Sequence, residues 1–529
     1  MKKVFILLYL VFWGLNPWLR AQDLGGRIIL STLSDPTNLI PPLATDAFSH
    51  ELADLLYVSL LKYDKNLQLV PWAASGYEVL DGGKRLRFKL KKNIFWFDGK
   101  PLTAEDVYFT YKLMIDPKTP TAYGEDFKLV KECRVLSPYE LEVTYPKVYA
   151  GSLASWTMSI LPRHILEKEN LLQTKYSRNP LGAGPYKLVK WESGRNLILK
   201  ANANYFEGRP YIDEVVYRVI PDMNTMFLEL KAGNLDNMNL SPLQYIFQTK
   251  GRFWQKNFNK YKYLASSYTY LGYNLRHPLF KNVKLRQAIA LALDKEEIVK
   301  GVLFGLGEPT IGPYKPGTWA YNTRIKDYPY NPVKAKKILE DLGYKDLDGD
   351  GFLERDGKKL EFTILTNQGN DLRLKTAIII QYRLAQVGIK VHIRTLEWAT
   401  FINEFIDKGN FETVILAWTI PLDPDLFDVW HSSKAVAGGL NFMGYKSKEV
   451  DKLLELGRET LDLSQRKKIY DRVQEILHKE QPYCFLYVPY ALPIVHKRIK
   501  GIEPAPAGIG YNFIRWWIPK QYQKVNFSF

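Results

Sequence analysis

LEFTILTNQGNDLRLKTAIIIQYRLAQVGIKVHIRT (360–395) reads as strand, helix and strand. The apolar, β-branched start at 360–365 suits a buried strand, and residues 371–387 suit a helix. Gly388 ends that helix, and 389–395 is extended again. A strand, a crossover helix and a second strand make a βαβ unit. The apolar run Thr413 to Trp418 supplies a third strand. The expected class is therefore α/β.

That third strand leads into TVILAWTIPLDPDLFDVWHSSKAVAGGLNFMGY (413–445). Pro421 and Pro424 forbid regular structure, so the strand must end in a loop. The loop carries Trp418, Asp423, Asp425 and Trp430, and a second loop at 437–440 delivers Asn441, Phe442 and Tyr445. Aromatic planes with a few fixed polar groups at the end of a strand are the makings of a small-molecule cleft. Trp418 and Trp430 are expected to stack on ligand, with Asp423 as the polar anchor. The competing reading is a surface loop whose tryptophans plug a core.

Flanking stretches carry further elements. Arg27 to Leu33 is a short strand, and Asp46 or Ser49 can cap a helix through Leu60. Thr103 caps a helix whose first turn holds Glu105 and Asp106, suiting the helix dipole. Residues 186–201 form a hairpin turning at Ser193-Gly194. Asp222 opens a helix that Gly233 closes. A helical stripe at 283–293 restarts at Asp294 with Gly301 expected as its stop.

The block LRFKLKKNIFWFDGKPLTAEDVYFTYKLMID (86–116) resembles the signature of the family 5 extracellular solute-binding proteins, the oligopeptide- and dipeptide-binding components of ATP-driven importers. The blocks at 179–215, 271–299, 417–433 and 441–454 are similar to the same family, in its order. The resemblance implies a type II periplasmic-binding-protein fold, two large lobes around a cleft plus an extra small domain. It implies a discontinuous lobe at 22–45, 180–270 and 490–529, a second at 46–179 and a third at 271–489. It implies lobe closure on a small solute, a peptide or an oligosaccharide, and delivery by a monomer to a membrane permease. Related proteins bind metal or haem complexes. In the family's peptide binders an aspartate three residues after the cleft tryptophan holds the ligand's amine. Here that position is Pro421, and Asp423 stands two residues later. Approximate alignment adds Asp46 and Tyr123 on the opposite wall. A periplasmic chaperone or scaffold on the same fold would lack a saturable small ligand.

Composition sets further bounds. With 529 residues the chain is too long for one ordinary core. The net charge of +17 is spread among acids along the chain, which suits an anionic membrane or cell wall and not nucleic acid. No HExxH, GxSxG or Walker motif occurs, and no cofactor or catalytic residue is expected. Asp423 and Asp425 flank one proline, a poor arrangement for the facing carboxylates of a glycosidase. Cys133 and Cys484 could pair only if they meet, and Cys484 reads as a small buried hydrophobe. Asp346, Asp348 and Asp350 precede Gly351 as in the first half of a calcium loop, but the twelfth position is Gly357; Glu354 or Asp356 nearby could substitute, yet a structural turn is expected and no metal.

Met1-Lys2-Lys3 and the apolar run Val4 to Leu15 read as a secretory signal peptide over 1–21, giving a periplasmic protein on the outer face of the cytoplasmic membrane. N-terminal sequencing of the protein from its host should begin near Gln22. Recovery of Met1 in membrane fractions would refute a cleaved, soluble exported protein in favour of an uncleaved membrane anchor.

Overall fold

The computed structural model describes residues 23–420 and 422–523. The signal-peptide reading of 1–21, and Pro421, lie outside them. The βαβ unit is present: strand Glu361–Asn367, helix Asp371–Ala385 and strand Lys390–Leu396, with the strands paired in parallel. Gly388 takes φ +83° between helix and second strand, a conformation that favours glycine. Strand Thr413–Thr419 pairs in parallel on the other side of Glu361–Asn367. Ser267–Tyr273 lies antiparallel to it, and Tyr483–Ala491 antiparallel in turn to that. With Tyr263–Leu264, Gly307–Pro309 and Lys390–Leu396 the sheet has seven strands.

Alternating side chains cover both faces of this sheet. Ile364 and Ile415 enter a core with helices Val283–Ala292, Lys295–Leu303, Pro332–Asp341 and Asp371–Ala385. Leu365, Val414 and Leu416 enter a second core with helices Lys448–Glu459 and Leu463–Glu480. A sheet buried on both faces explains why Thr413–Trp418 is apolar without alternation.

Among the described residues two four-stranded sheets, one three-stranded sheet and two two-stranded ribbons complete the strand pairing. In one four-stranded sheet, Arg27–Thr32 runs parallel to Glu214–Val219, followed by the hairpin Asn196–Ala201 and Tyr186–Glu192. The other is antiparallel, in the order Ala74–Leu80, Arg85–Leu90, Glu140–Thr144, Glu132–Ser137. Their apolar faces share one continuous buried cluster. Gly182 and Gly184 lie where the chain passes the end of helix Ala47–Leu56. The Gly184 amide donates to the Leu56 carbonyl at 2.9 Å, and a Cβ at Gly182 would overlap that same oxygen.

The sequence expectation fails at one helix end. Gly301 lies inside helix Lys295–Leu303, and Phe304, at φ +51°, is the residue that ends it. Gly301 serves packing instead: a Cβ there would sit 3.2 Å from Ile379 Cδ1 on helix Asp371–Ala385. Cys133 and Cys484 are both buried and free. Among the described residues no helix is long and apolar enough to cross a membrane.

Distant segments are sewn together by one buried ion pair. Arg498 donates to Asp236 through Nε (2.6 Å) and Nη2 (2.5 Å), and to the Arg27 carbonyl at 2.8 Å. Asp236 also accepts the Ile29 amide at 2.9 Å. Asp236 is 2% exposed. Removing the carboxylate takes away the acceptor of two guanidinium bonds and of the Ile29 amide, so Asp236→Ala should lower the unfolding free energy by about 3–5 kcal/mol. Chemical denaturation followed by circular dichroism checks this. A loss below about 1 kcal/mol would show that water reaches Arg498.

Candidate ligand-binding cleft

Helix Ala47–Leu56 begins at Asp46, whose carboxylate accepts the Ser49 amide at 2.9 Å. Thr37 and Ser49 hydroxyls donate to the same carboxylate at 2.5 Å. Asp46 is thus committed to holding the helix start, and it lies outside the cavity lining. Leu52 and Leu56 are buried in the core. His50, Ala53 and Asp54, spaced three and four apart, occupy a different stripe and line a cavity of about 470 Å³.

The opposite and side walls come from distant segments. Met114, Tyr123, Asp126, Phe127, Tyr149 and Ser155 lie on one side, and Leu422, Asp423, Asp425, Asp428 and Arg458 on the other. Of the sequence-predicted residues, Asp423, Asp425 and Tyr123 meet here. Tyr123 Oη lies 3.3 Å from His50 Nε2. Burial holds His50 below its usual pKa, favouring the neutral imidazole.

The other predicted residues hold the loop together. Trp430 is 1% exposed, with its ring 4.5 Å from that of Tyr483 and edge-on to Tyr445. Asn441 donates to the carbonyls of His431 (3.1 Å) and Tyr445 (2.8 Å) and accepts the Tyr445 amide (2.9 Å). Tyr445 donates to Glu480 at 2.7 Å. Trp418 is half-buried, its Nε1 donating to Tyr483 Oη at 3.1 Å and its ring lying 5.7 Å from Phe442. None of these four lines the cavity. The expectation of stacking at Trp418 and Trp430 therefore meets rings already engaged by protein. For these tryptophans the core-plugging reading describes the geometry.

The cavity is acidic. Asp54, Asp126, Asp423, Asp425 and Asp428 line it with a single guanidinium, Arg458. Arg458 donates to Asp425 at 2.7 Å and to Asp126 at 2.8 Å, and its guanidinium lies 3.9 Å over Phe427. Arg466 grips Asp423 in bidentate fashion at 2.6 and 2.8 Å. Lys434 lies 3.2 Å from Asp428 and 2.9 Å from Glu125. Asp54 has no hydrogen-bond or ion-pair partner among the described residues.

Electrostatics follow from this crowding. Burial raises the pKa of Asp425 and outweighs the attraction of Arg458. Burial raises Asp428 as well, with Asp126 adding repulsion. Asp54 can be reached by solvent along the cavity, yet protein surrounds it closely. Desolvation, with the nearby charge of Glu51, pushes its pKa up to about 6. The site is thus a pocket of carboxylates short of positive charge. Sequence reasoning missed Asp54, Asp126, Asp428 and Arg458. Asp54 looks like any acid at the edge of an amphipathic helix. Asp126 and Arg458 are 332 residues apart, and no local pattern announces their meeting.

Comparison with known proteins accords with this architecture. The model of the bacterial extracellular solute-binding proteins, family 5 (middle region), matches residues 68–438. The oligopeptide-binding protein AppA of Bacillus subtilis is 35% identical over 507 residues, covering 94% of this chain and 92% of the relative. The structure of that protein with a nonapeptide superposes with a TM-score of 0.89 at 34% identity, covering 94% of this chain and all of the other. NikZ of Campylobacter jejuni in complex with Ni(L-His) gives a TM-score of 0.84 at 29% identity, covering 93% and 99%. The expected two-lobed α/β solute-binding fold is the one observed, and the chain belongs to the family 5 bacterial extracellular solute-binding proteins.

Proposed function

We propose that this protein captures a short peptide bearing a positive charge and hands it to a membrane permease. It is a binding protein and not an enzyme. The observation that carries the ligand class is the unpaired Asp54 in a cavity where five carboxylates face one arginine. A cavity of about 470 Å³ is within the range of small-ligand sites. Peptide is favoured because AppA, similar over nearly the whole chain, holds a nonapeptide. Nickel–histidine is the ligand of NikZ, and it offers a second, also cationic, reading.

The protein works as an exported monomer. Residues 22–45, 180–270 and 490–529 form one lobe, 46–179 a second and 271–489 a third. Closure brings the Asp126 and Arg458 walls together, and ligand stabilises the closed form by touching both. Small-angle scattering should give a smaller radius of gyration with bound peptide. An unchanged profile at saturation would count against hinge closure.

Calorimetry with a lysine-containing tripeptide and its glutamate counterpart tests the charge preference. The lysine peptide should bind more tightly. Asp54→Asn should weaken it by about ten- to a hundredfold, the value of a hydrogen bond to a charged group being about 1.5–3 kcal/mol. Equal affinity for both peptides, or no loss in Asp54→Asn, refutes the proposed anchor.

The raised pKa of Asp54 gives a second, ligand-free test. Its carboxyl binds a proton more tightly folded than unfolded, so ionisation costs stability as pH rises through about 6. Asp54→Asn should therefore melt higher than wild type near pH 8. The advantage should shrink through pH 6 and vanish below about pH 4, where both side chains are neutral. A mutant melting lower than wild type at pH 8 would show that Asp54 has a stabilising partner.

A further inference from the structure

The loop KDLDGDGFLERDGKK (345–359) lies far along the chain from the cleft residues and plays no part in the cavity. Its sequence lacks a ligand at the twelfth position of a calcium loop. The structure supplies one at the ninth. The short strand Glu354–Arg355 pairs with Lys358–Lys359, and the backbones of Lys345 and Glu354 exchange hydrogen bonds of 3.0 and 2.7 Å. This pairing folds Glu354 back beneath the aspartates.

Glu354 is 7% exposed. Its Oε2 accepts the Leu347 amide at 2.8 Å. Its Oε1 is buried without a hydrogen bond. The ammonium of Lys359 stands 3.7 Å from it, beyond hydrogen-bonding reach. One carboxylate oxygen from each of Asp346, Asp348 and Glu354 lies within 4.8 Å of the others.

The remaining oxygens are held in place by backbone. Asp346 accepts the amides of Gly349 (2.8 Å) and Gly351 (3.0 Å). Asp348 accepts that of Asp350 (3.2 Å), and Asp350 that of Phe352 (3.0 Å). Each carboxylate keeps lone pairs to spare. Lys359, which also pairs with Asp348 (3.2 Å) and Asp350, is a single positive charge among four carboxylates. A monovalent counter-ion leaves this cluster strongly negative.

We propose that residues 346–354 form a calcium site, with Asp346, Asp348, Asp350 and Glu354 as carboxylate ligands and Lys359 as the resident cation that the metal displaces. Hard oxygen ligands on a loop turned by glycines suit calcium, which accepts six to eight oxygens in irregular geometry. Magnesium demands a tighter octahedron and gives up water reluctantly. The bound ion would brace the loop against the sheet, since Leu353 donates to the Gly388 carbonyl at 2.8 Å where helix Asp371–Ala385 gives way to its strand.

The test is titration calorimetry of the full chain, stripped with EDTA, against calcium chloride alone. One ion per chain is expected, at a Kd of about 0.1–1 mM, as in extracellular calcium modules. Glu354→Gln keeps an acceptor for Leu347 and should melt like wild type in EDTA, yet bind calcium at least about tenfold more weakly. Lys359→Met removes the competing ammonium and should bind more tightly. Asp348→Asn, altering an exposed side chain, replaces Glu354→Gln should that variant misfold. Wild-type affinity in whichever of these two carboxylate variants folds overturns the site. So does absence of calcium heat in both wild type and Lys359→Met, and magnesium binding as tight as calcium overturns the choice of metal.

Discussion

One guanidinium, that of Arg458, ties two walls of the cavity together. It bridges Asp425 beside it and Asp126 across the cleft. Around it the Ala150 amide donates to the Arg458 carbonyl at 2.7 Å, and Lys434–Glu125 and Lys147–Glu459 span the same junction at 2.9 Å. The junction is thus polar where it could have been apolar. An interface of buried leucines would gain about 25 cal/mol for each Å² and would resist opening. Charge pairs desolvated on closing are near neutral in net free energy, because the desolvation cost offsets the attraction. Water can re-enter and solvate both partners. That near balance leaves the ligand's own contacts to decide between open and closed.

What must not give way lies elsewhere. The Asp236–Arg498 pair joins the strand at Arg27–Thr32 to segments more than two hundred residues further on. Its members are almost wholly excluded from solvent, unlike the exposed Lys147–Glu459 pair. The two kinds of ion pair therefore divide the work. The buried one fixes the frame on which helix Ala47–Leu56 and its Asp54 are mounted. At the junction the cations Arg458 and Lys434 are buried too, but their partners Asp126 and Glu125 stay partly open to water. Gly182 and Gly184, pressed against the Leu55 and Leu56 carbonyls, transmit the position of that frame to the cleft without side chains to yield.

The fold was legible wherever local chemistry and tertiary packing agreed. Asp222 and Thr103 cap helices as their residue types require, and Gly388 turns the βαβ unit as glycine should. Gly301 misled because a helical glycine can serve close packing against Ile379 as well as termination. The site was half legible. The loop after Thr413–Thr419 does reach the cavity, through Asp423 and Asp425. Its tryptophans do not, because composition cannot tell a ring that stacks on ligand from one that packs on Tyr483. Asp46 read as either a helix cap or a binding residue, and the cap is what the structure contains. The sequence offered Glu354 and Asp356 equally as stand-ins for the missing twelfth ligand, and only the return of the hairpin, which brings Glu354 to Asp346 and Asp348, decides between them.

A chain of net charge +17 with a carboxylate-lined cleft poses an apparent contradiction for a cationic ligand. Distance resolves it. At physiological ionic strength charges beyond about 8 Å are screened, so the scattered surface lysines exert little force on a peptide at the cleft mouth. Within the cavity Asp54 and its neighbours stand closer to a bound ligand than the scattered surface lysines do, and are therefore screened less. Selectivity is then written in the few residues of the cavity wall, and the basic exterior is free to serve another surface. Raising ionic strength should leave affinity for a cationic peptide nearly unchanged once it is enclosed, while weakening any attraction of the basic exterior to an anionic membrane. A steep loss of peptide affinity with salt would place the recognised charge outside the cavity.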